Sequence, residues 1–200
     1  MNRSQPAYKL NISDFVYLET YPINSKNRLS LLFILVSSII IFLLPTLVFI
    51  FLFTDGEGIP FGFLISCILS VLVSIYLLRL YLWNKYGKEV FMIKDRNLIY
   101  YYDYKLYKDH QKEITFKTIN VYFLFNDSLR KTSDIWDNTL TNEKMKQLLA
   151  TESPVFFELD NNPDIVSSKR ELPISAIVDI GRKLGIKSYY NRINKEKDNI

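Results

Sequence analysis

The residues best able to do chemistry in this 200-residue chain are one histidine, His110, and one cysteine, Cys67. A Cys–His nucleophile–base pair needs both side chains within hydrogen-bond reach. Cys67 lies inside the apolar run Ile59–Leu78 and His110 in a polar stretch, so hydropathy separates them. Asp103 and Asp109 stand near His110. A metal or acid–base role can be drawn from that trio, but a solvated turn histidine is the expected state. Carboxylates are scattered among lysines, with no pair set apart for general acid–base work. The phosphate-loop, dinucleotide-fold, nucleophile-elbow and HExxH patterns are absent, and Gly181 and Gly185 fall in or after a predicted helix. A single cysteine excludes a disulfide framework and the usual zinc fingers. No catalytic residue, no cofactor and no metal ligand is expected, and the chain is read as a non-enzyme.

Three patterns point to binding instead. Tyr100, Tyr101, Tyr102, Tyr104 and Tyr107 crowd one short segment. They could form a face for a headgroup, a peptide or single-stranded nucleic acid, but alternate tyrosines packing into a core is the plainer reading. Gly62, Ser66, Ser70 and Ser74 recur every four residues, so small side chains follow one face of a helix. That face suits helix packing, either within the chain or in a homo-oligomer. Basic residues gather at Lys85, Lys88, Lys105, Lys108, Lys112 and Lys117, and again in Arg182, Lys183, Lys187, Arg192, Lys195 and Lys197. They suit anionic lipid headgroups. From Asn84 on there are 20 basic and 17 acidic residues, too even a balance to favour nucleic acid.

The elements that must position these residues follow from the charge distribution. Between Leu29 and Trp83 the chain holds one basic residue, Arg79, and two acids, Asp55 and Glu57. Leu29–Phe53 is 25 residues without a charge, about 37 Å as a helix against a bilayer core of about 30 Å. Ile59–Leu78 is a second such run, and Thr54–Gly58 (TDGEG) alone separates them. So short a link predicts two antiparallel transmembrane helices, 29–53 and 59–83, joined by a short external loop at 54–58. A cleaved signal peptide is not expected, because the first run is too long and a second follows. Arg3, Lys9, Lys26 and Arg28 precede the first span; Arg79, Lys85, Lys88 and Lys94 follow the second; the loop has no Lys or Arg. The positive-inside rule then places both termini in the cytoplasm. Arg28, Arg79, Tyr81, Trp83, Lys85 and Lys88 form the expected membrane-interface set. Pro45 predicts a kink or an unpaired carbonyl in the first span.

Outside the spans, residues 1–28 carry one strand candidate, Val16–Tyr21, which needs a partner downstream. Residues 84–190 read as a mainly antiparallel β domain. Lys88–Lys94 and Asn97–Tyr104 pair around an Asp95-Arg96-Asn97 turn. Strands follow at Lys112–Lys117, Thr118–Phe125 and Val155–Leu159, with a short helix at Thr141–Ala150. Pro173–Leu184 predicts a closing helix that Gly185 stops, and 191–200 a basic tail.

The Trp83-x-x-x-Gly87-Lys88-Glu89 junction after a two-span hairpin, followed by a strand pair with an aromatic-rich second strand, resembles bacterial membrane-anchored proteins with a PH-like domain. The segment Ser153–Asp164 and then Leu172–Leu184 fits the same arrangement, whereas Asp127–Glu152 departs from it with an extra helix. The resemblance runs from near Val16 to near Leu184 and implies a curved antiparallel sheet or barrel capped by a C-terminal helix, at the cytoplasmic face of the inner membrane. It implies no established activity. The expected function is presentation of that domain at the inner leaflet, for a protein partner or lipid headgroups. The alternatives are a small immunity or stress protein, or a subunit of an oligomeric membrane complex, acting through the hairpin.

Overall fold

The two uncharged runs become two long helices, α1 (Arg28–Thr54) and α2 (Phe61–Tyr86), in a computed structural model that describes residues 8–22, 28–54, 58, 60–136, 142–160 and 165–197. Both are long and apolar enough to cross a membrane. The loop residues Asp55–Glu57, and Arg3 and Lys26 among the flanking cations, lie outside the described residues. The helices meet through a reciprocal serine pair. Ser38 Oγ donates to the Ser74 carbonyl at 2.9 Å and Ser74 Oγ to the Ser38 carbonyl at 2.9 Å. In α1 Thr46 Oγ1 returns a bond to the Phe42 carbonyl one turn back, at 2.7 Å, beside Pro45. Next to it the helices leave an apolar groove of about 400 Å³ lined by Phe42, Pro45, Cys67 and Ser70, among others.

The chain divides into two units, and these helices make up the first together with residues 103–108. The second is a β unit. Strands β1 (Tyr8–Ile12), β2 (Val16–Thr20), β3 (Lys88–Lys94), β4 (Asn97–Asp103) and β5 (Lys108–Thr115) form a five-stranded sheet in that order. Strands β6 (Ile119–Phe125), β7 (Ser128–Lys131), β8 (Glu152–Leu159) and β9 (Val166–Pro173) form a four-stranded sheet ordered β7-β6-β8-β9. A 3-10 turn (Thr132–Trp136) and α3 (Asn142–Ala150) lie between β7 and β8 in sequence, and α4 (Ile174–Lys197) ends the chain.

Period-two alternation explains the inward faces: Val16, Leu18 and Thr20 of β2 are buried, as are Val155, Phe157 and Leu159 of β8. Phe91 and Phe157, 5.6 Å apart between ring centroids, join the two sheets. Ile174, Ile177 and Ile180 of α4 complete the core with no exposed surface. Each such side chain contributes about 1.5–3 kcal/mol by leaving water. Asp95 and Arg96 both take positive φ (46° and 65°), the twist a two-residue β3–β4 hairpin requires, and Asn126 and Asp127 repeat it between β6 and β7.

Several expectations shift. The strand expected at Lys112–Lys117 is β5, four residues earlier at its start. Strands β1, β7 and β9 were not foreseen: β7 has only four residues, and β9 (VSSKRELP) is polar along much of its length. Val16–Tyr21 pairs downstream as expected, Val16 opposite Ile93 and Thr20 opposite Glu89. The stop at Gly185 is wrong. The helix runs on to Lys197, because Gly185 does not take the left-handed conformation that ends a helix and no proline follows it.

Candidate functional site

The C-terminal end of α2 gathers cations and aromatic rings. Arg79, Trp83 and Tyr86 are spaced four and three residues apart, so they share a face of the helix. Residues 103–108, between β4 and β5, pack against that face. Asp103 Oδ1 accepts the Lys105 backbone N–H at 2.7 Å, and the Tyr104 N–H donates to the Tyr107 carbonyl at 3.0 Å. These bonds close a tight turn in which Lys105 takes a positive φ of 74°. The turn stacks Tyr104 on Tyr107, 4.8 Å between centroids and 8° from parallel. Tyr104 also lies 5.4 Å from the Trp83 ring, and its hydroxyl accepts from Arg79 Nε at 3.3 Å. Lys105 Nζ stands 4.7 Å over the Tyr86 ring. On the neighbouring face Lys85 Nζ donates to the Tyr81 hydroxyl at 2.6 Å and sits over the Tyr81 and Tyr86 rings.

This is a collar of amphipathic side chains at the end of an apolar helix. Its cations approach ring faces, where the negative face of the ring attracts them. Of the interface set read from sequence, Arg79, Tyr81, Trp83 and Lys85 belong to the collar. Arg28 is exposed at the first residue of α1, and Lys88 is half-buried at the start of β3. Sequence reading placed Tyr104 at a strand end and missed the turn. The signal was Asp103, whose short carboxylate closes a turn on the N–H two residues on. Of the tyrosine run, Tyr102 and Tyr104 are buried, Tyr100 stacks with Phe91 at 6.1 Å, and Tyr107 is exposed.

The small-residue ladder divides. Ser74 is buried in the bond with Ser38, a residue that sequence reading passed over. Ser66 is exposed and Ser70 half-buried, both bond to carbonyls of their own helix, and a Cβ added at Gly62 would meet nothing within 4 Å.

Gly87 and Glu89 give the junction motif a physical content. A Cβ on Gly87 would stand 2.5 Å from Trp83 Cε3 and 2.6 Å from the Trp83 carbonyl oxygen. Its φ of −57° is open to any residue, so the need for glycine is one of space. Its N–H donates to the Leu82 and Trp83 carbonyls, which closes the helix. Glu89 is wholly buried. Its Oε1 accepts the Lys169 N–H at 2.7 Å; its Oε2 accepts the Arg170 N–H at 3.0 Å and Thr20 Oγ1 at 3.1 Å. The carboxyl thus ties β2 and β3 of one sheet to β9 of the other. Burial pushes its pKa up, against the pull of those donors and the Arg170 charge. With every oxygen occupied by the fold, Glu89 is a structural tie rather than a reacting group.

His110 is exposed, 3.1 Å from Asp109 Oδ2 and beside the Tyr102 ring. Among the described residues no three His, Cys, Asp or Glu side chains are grouped so as to hold a metal ion. Compared with protein-family models, curated proteins and solved structures, the chain finds no match.

Proposed function

We propose that the chain is a non-enzymatic integral protein of a bacterial cytoplasmic membrane, in which α1 and α2 anchor a PH-like β unit at the inner leaflet, and that this unit binds a protein partner or lipid headgroups there. The observation that carries the reading is the succession along α2: an exposed apolar surface, then Arg79, then a collar of rings and cations. Only 6% of the apolar window of either helix is buried. An apolar surface of that size needs lipid around it. Two antiparallel sheets closed by a C-terminal helix support the PH-like assignment, and an even charge balance supports headgroup or protein recognition over nucleic acid.

Alkaline extraction of membranes tests the anchor: the chain stays with the pellet. Protease digestion of intact spheroplasts tests the orientation: a tag after Ile200 survives until the membrane is opened. A soluble chain, or a tag cut from outside, refutes the reading. Capture of the full-length chain from mild detergent, with and without anionic lipid, then tells a protein partner from a headgroup.

The groove beside Pro45 and Ser70 favours a second reading, association through the hairpin. If a chain truncated after Lys88 retains the biological effect, that reading replaces the first.

A further inference from the structure

Leu106 is 73% exposed, although it is apolar and its turn is tightly held. The Tyr104–Tyr107 stack and the Asp103 bond fix the turn on both sides of it, so its exposure is built in. Its depth relative to the apolar helix can be worked out. From Phe61 to Leu78 α2 carries no charge, a rise of about 27 Å. Arg79 is the first charge after that surface, and its guanidinium is bonded to Tyr104. An apolar stretch that fills a core of about 30 Å leaves Arg79 at the phosphates. The turn bonded to it is therefore at headgroup level.

We infer that the turn at residues 103–108 is a lipid contact in its own right: Leu106 and the Tyr107 ring enter the headgroup–acyl boundary of the leaflet in which α2 ends, and Lys105 meets the lipid phosphates. The inference rests on the reading of α1 and α2 as membrane spans. Three features favour lipid over a protein occupant. The turn belongs to the same unit as the apolar helices and is bonded through Tyr104 to Arg79, so its exposed leucine is carried at the end of α2. A 41% exposed tyrosine beside it is the amphipathic ring that interfaces collect. Lys105 brings a positive charge to the level of anionic phosphates.

The test uses full-length protein in phosphatidylethanolamine–phosphatidylglycerol vesicles, in a Cys67→Ser background. A polarity-sensitive fluorophore is placed in separate samples at Leu106→Cys, at Tyr107→Cys and at Leu69→Cys on the outward surface of α2. Lipids with a nitroxide high on the acyl chain quench from within the bilayer, and iodide quenches from water. The expected result is that the probe at 106 loses about half its emission to the lipid nitroxide and little to iodide, as shallow insertion requires. Quenching at 69 by lipid but at 106 and 107 by iodide alone overturns the inference and leaves the spans standing, with a protein-docking turn as the replacement. Absence of lipid quenching at 69 overturns both.

Discussion

The tie made by Glu89 permits a worked prediction for Glu89→Gln. Glutamine keeps the shape of the side chain and one carbonyl oxygen, but replaces the other oxygen with a donor. If the oxygen stays on the Lys169 N–H, the new NH2 faces the Arg170 N–H and Thr20 Oγ1. The threonine hydroxyl can turn and accept. The Arg170 N–H cannot, and it is left buried opposite another donor. One unsatisfied buried N–H costs about 1–3 kcal/mol. Against this stands the relief of placing a neutral group where burial disfavours a charge. The three donors and the Arg170 charge offset only part of that cost, so the relief is real, but the unpaired Arg170 N–H is the larger loss. Thr20→Val removes one donor and leaves Glu89 Oε2 bonded to Arg170; its cost is smaller, about 1 kcal/mol. Urea unfolding of the full chain in detergent, followed by the β-sheet circular dichroism signal, measures both. A Gln variant as stable as the parent, or less perturbed than Thr20→Val, refutes the claim that this carboxyl holds the two sheets together.

The same group has a pH signature. Its folded pKa lies above the ordinary glutamate value of 4.5, so the folded state holds the proton more tightly than the unfolded state. Its contribution is therefore full below 4.5 and falls as pH rises from there through the raised folded value. The stability margin of the parent over Glu89→Gln shrinks between acidic and neutral pH, and a margin that grows instead refutes the sign. For the helices, a double-mutant cycle of Ser38→Ala and Ser74→Ala should return a coupling of about 0.6–1.7 kcal/mol by steric-trap unfolding in micelles, and zero coupling contradicts the reciprocal pair. Gly87→Ala should cost about 1–3 kcal/mol, because the added carbon meets backbone atoms of Trp83 that cannot yield. Gly62→Ala, with open space around it, should be neutral or slightly stabilising, and thermal melts of the full chain in detergent measure both glycine variants.

Different physical signals made different parts of this chain legible. The two long helices could be read because uncharged apolar runs of 20 or more residues, separated by a short polar link, leave a helix as the structure that satisfies their backbone groups internally. The β3–β4 hairpin could be read because Asp95-Arg96-Asn97 breaks two β-rich runs. The strands β1, β7 and β9 could not, although each pairs with its neighbour in sequence, because β1 and β7 are short and β9 is largely polar. Val166–Pro173 is held by β8, just before it in the chain, and by the Glu89 carboxyl, 80 residues from Lys169. The collar was half legible. Cations and rings at the end of α2 follow from hydropathy, but the tyrosines that complete it reach it by a turn 20 or so residues later. Gly185 misled because a glycine's stop signal depends on a conformation it is free not to adopt.

In the junction from Trp83 to Glu89, residues without a reactive group still carry separate structural tasks. Trp83, Gly87 and Glu89 each answer a separate physical need. Trp83 supplies a ring for Tyr104 and a carbonyl for the cap; Gly87 supplies the absence of a side chain over that ring; Glu89 supplies acceptors to backbone donors 80 and 81 residues away. Between the end of α2 at Tyr86 and the start of β3 at Lys88 there is one residue. A substitution at Gly87 acts first on the helix end and one at Glu89 first on the sheets. The two variants should therefore differ in kind: Gly87→Ala disturbs the environment of Trp83, while Glu89→Gln lowers the β-sheet melting temperature and leaves that environment unchanged. In a Trp136→Phe background, Trp83 emission separates them, and a common response to both substitutions would show that the motif is one structural element rather than two.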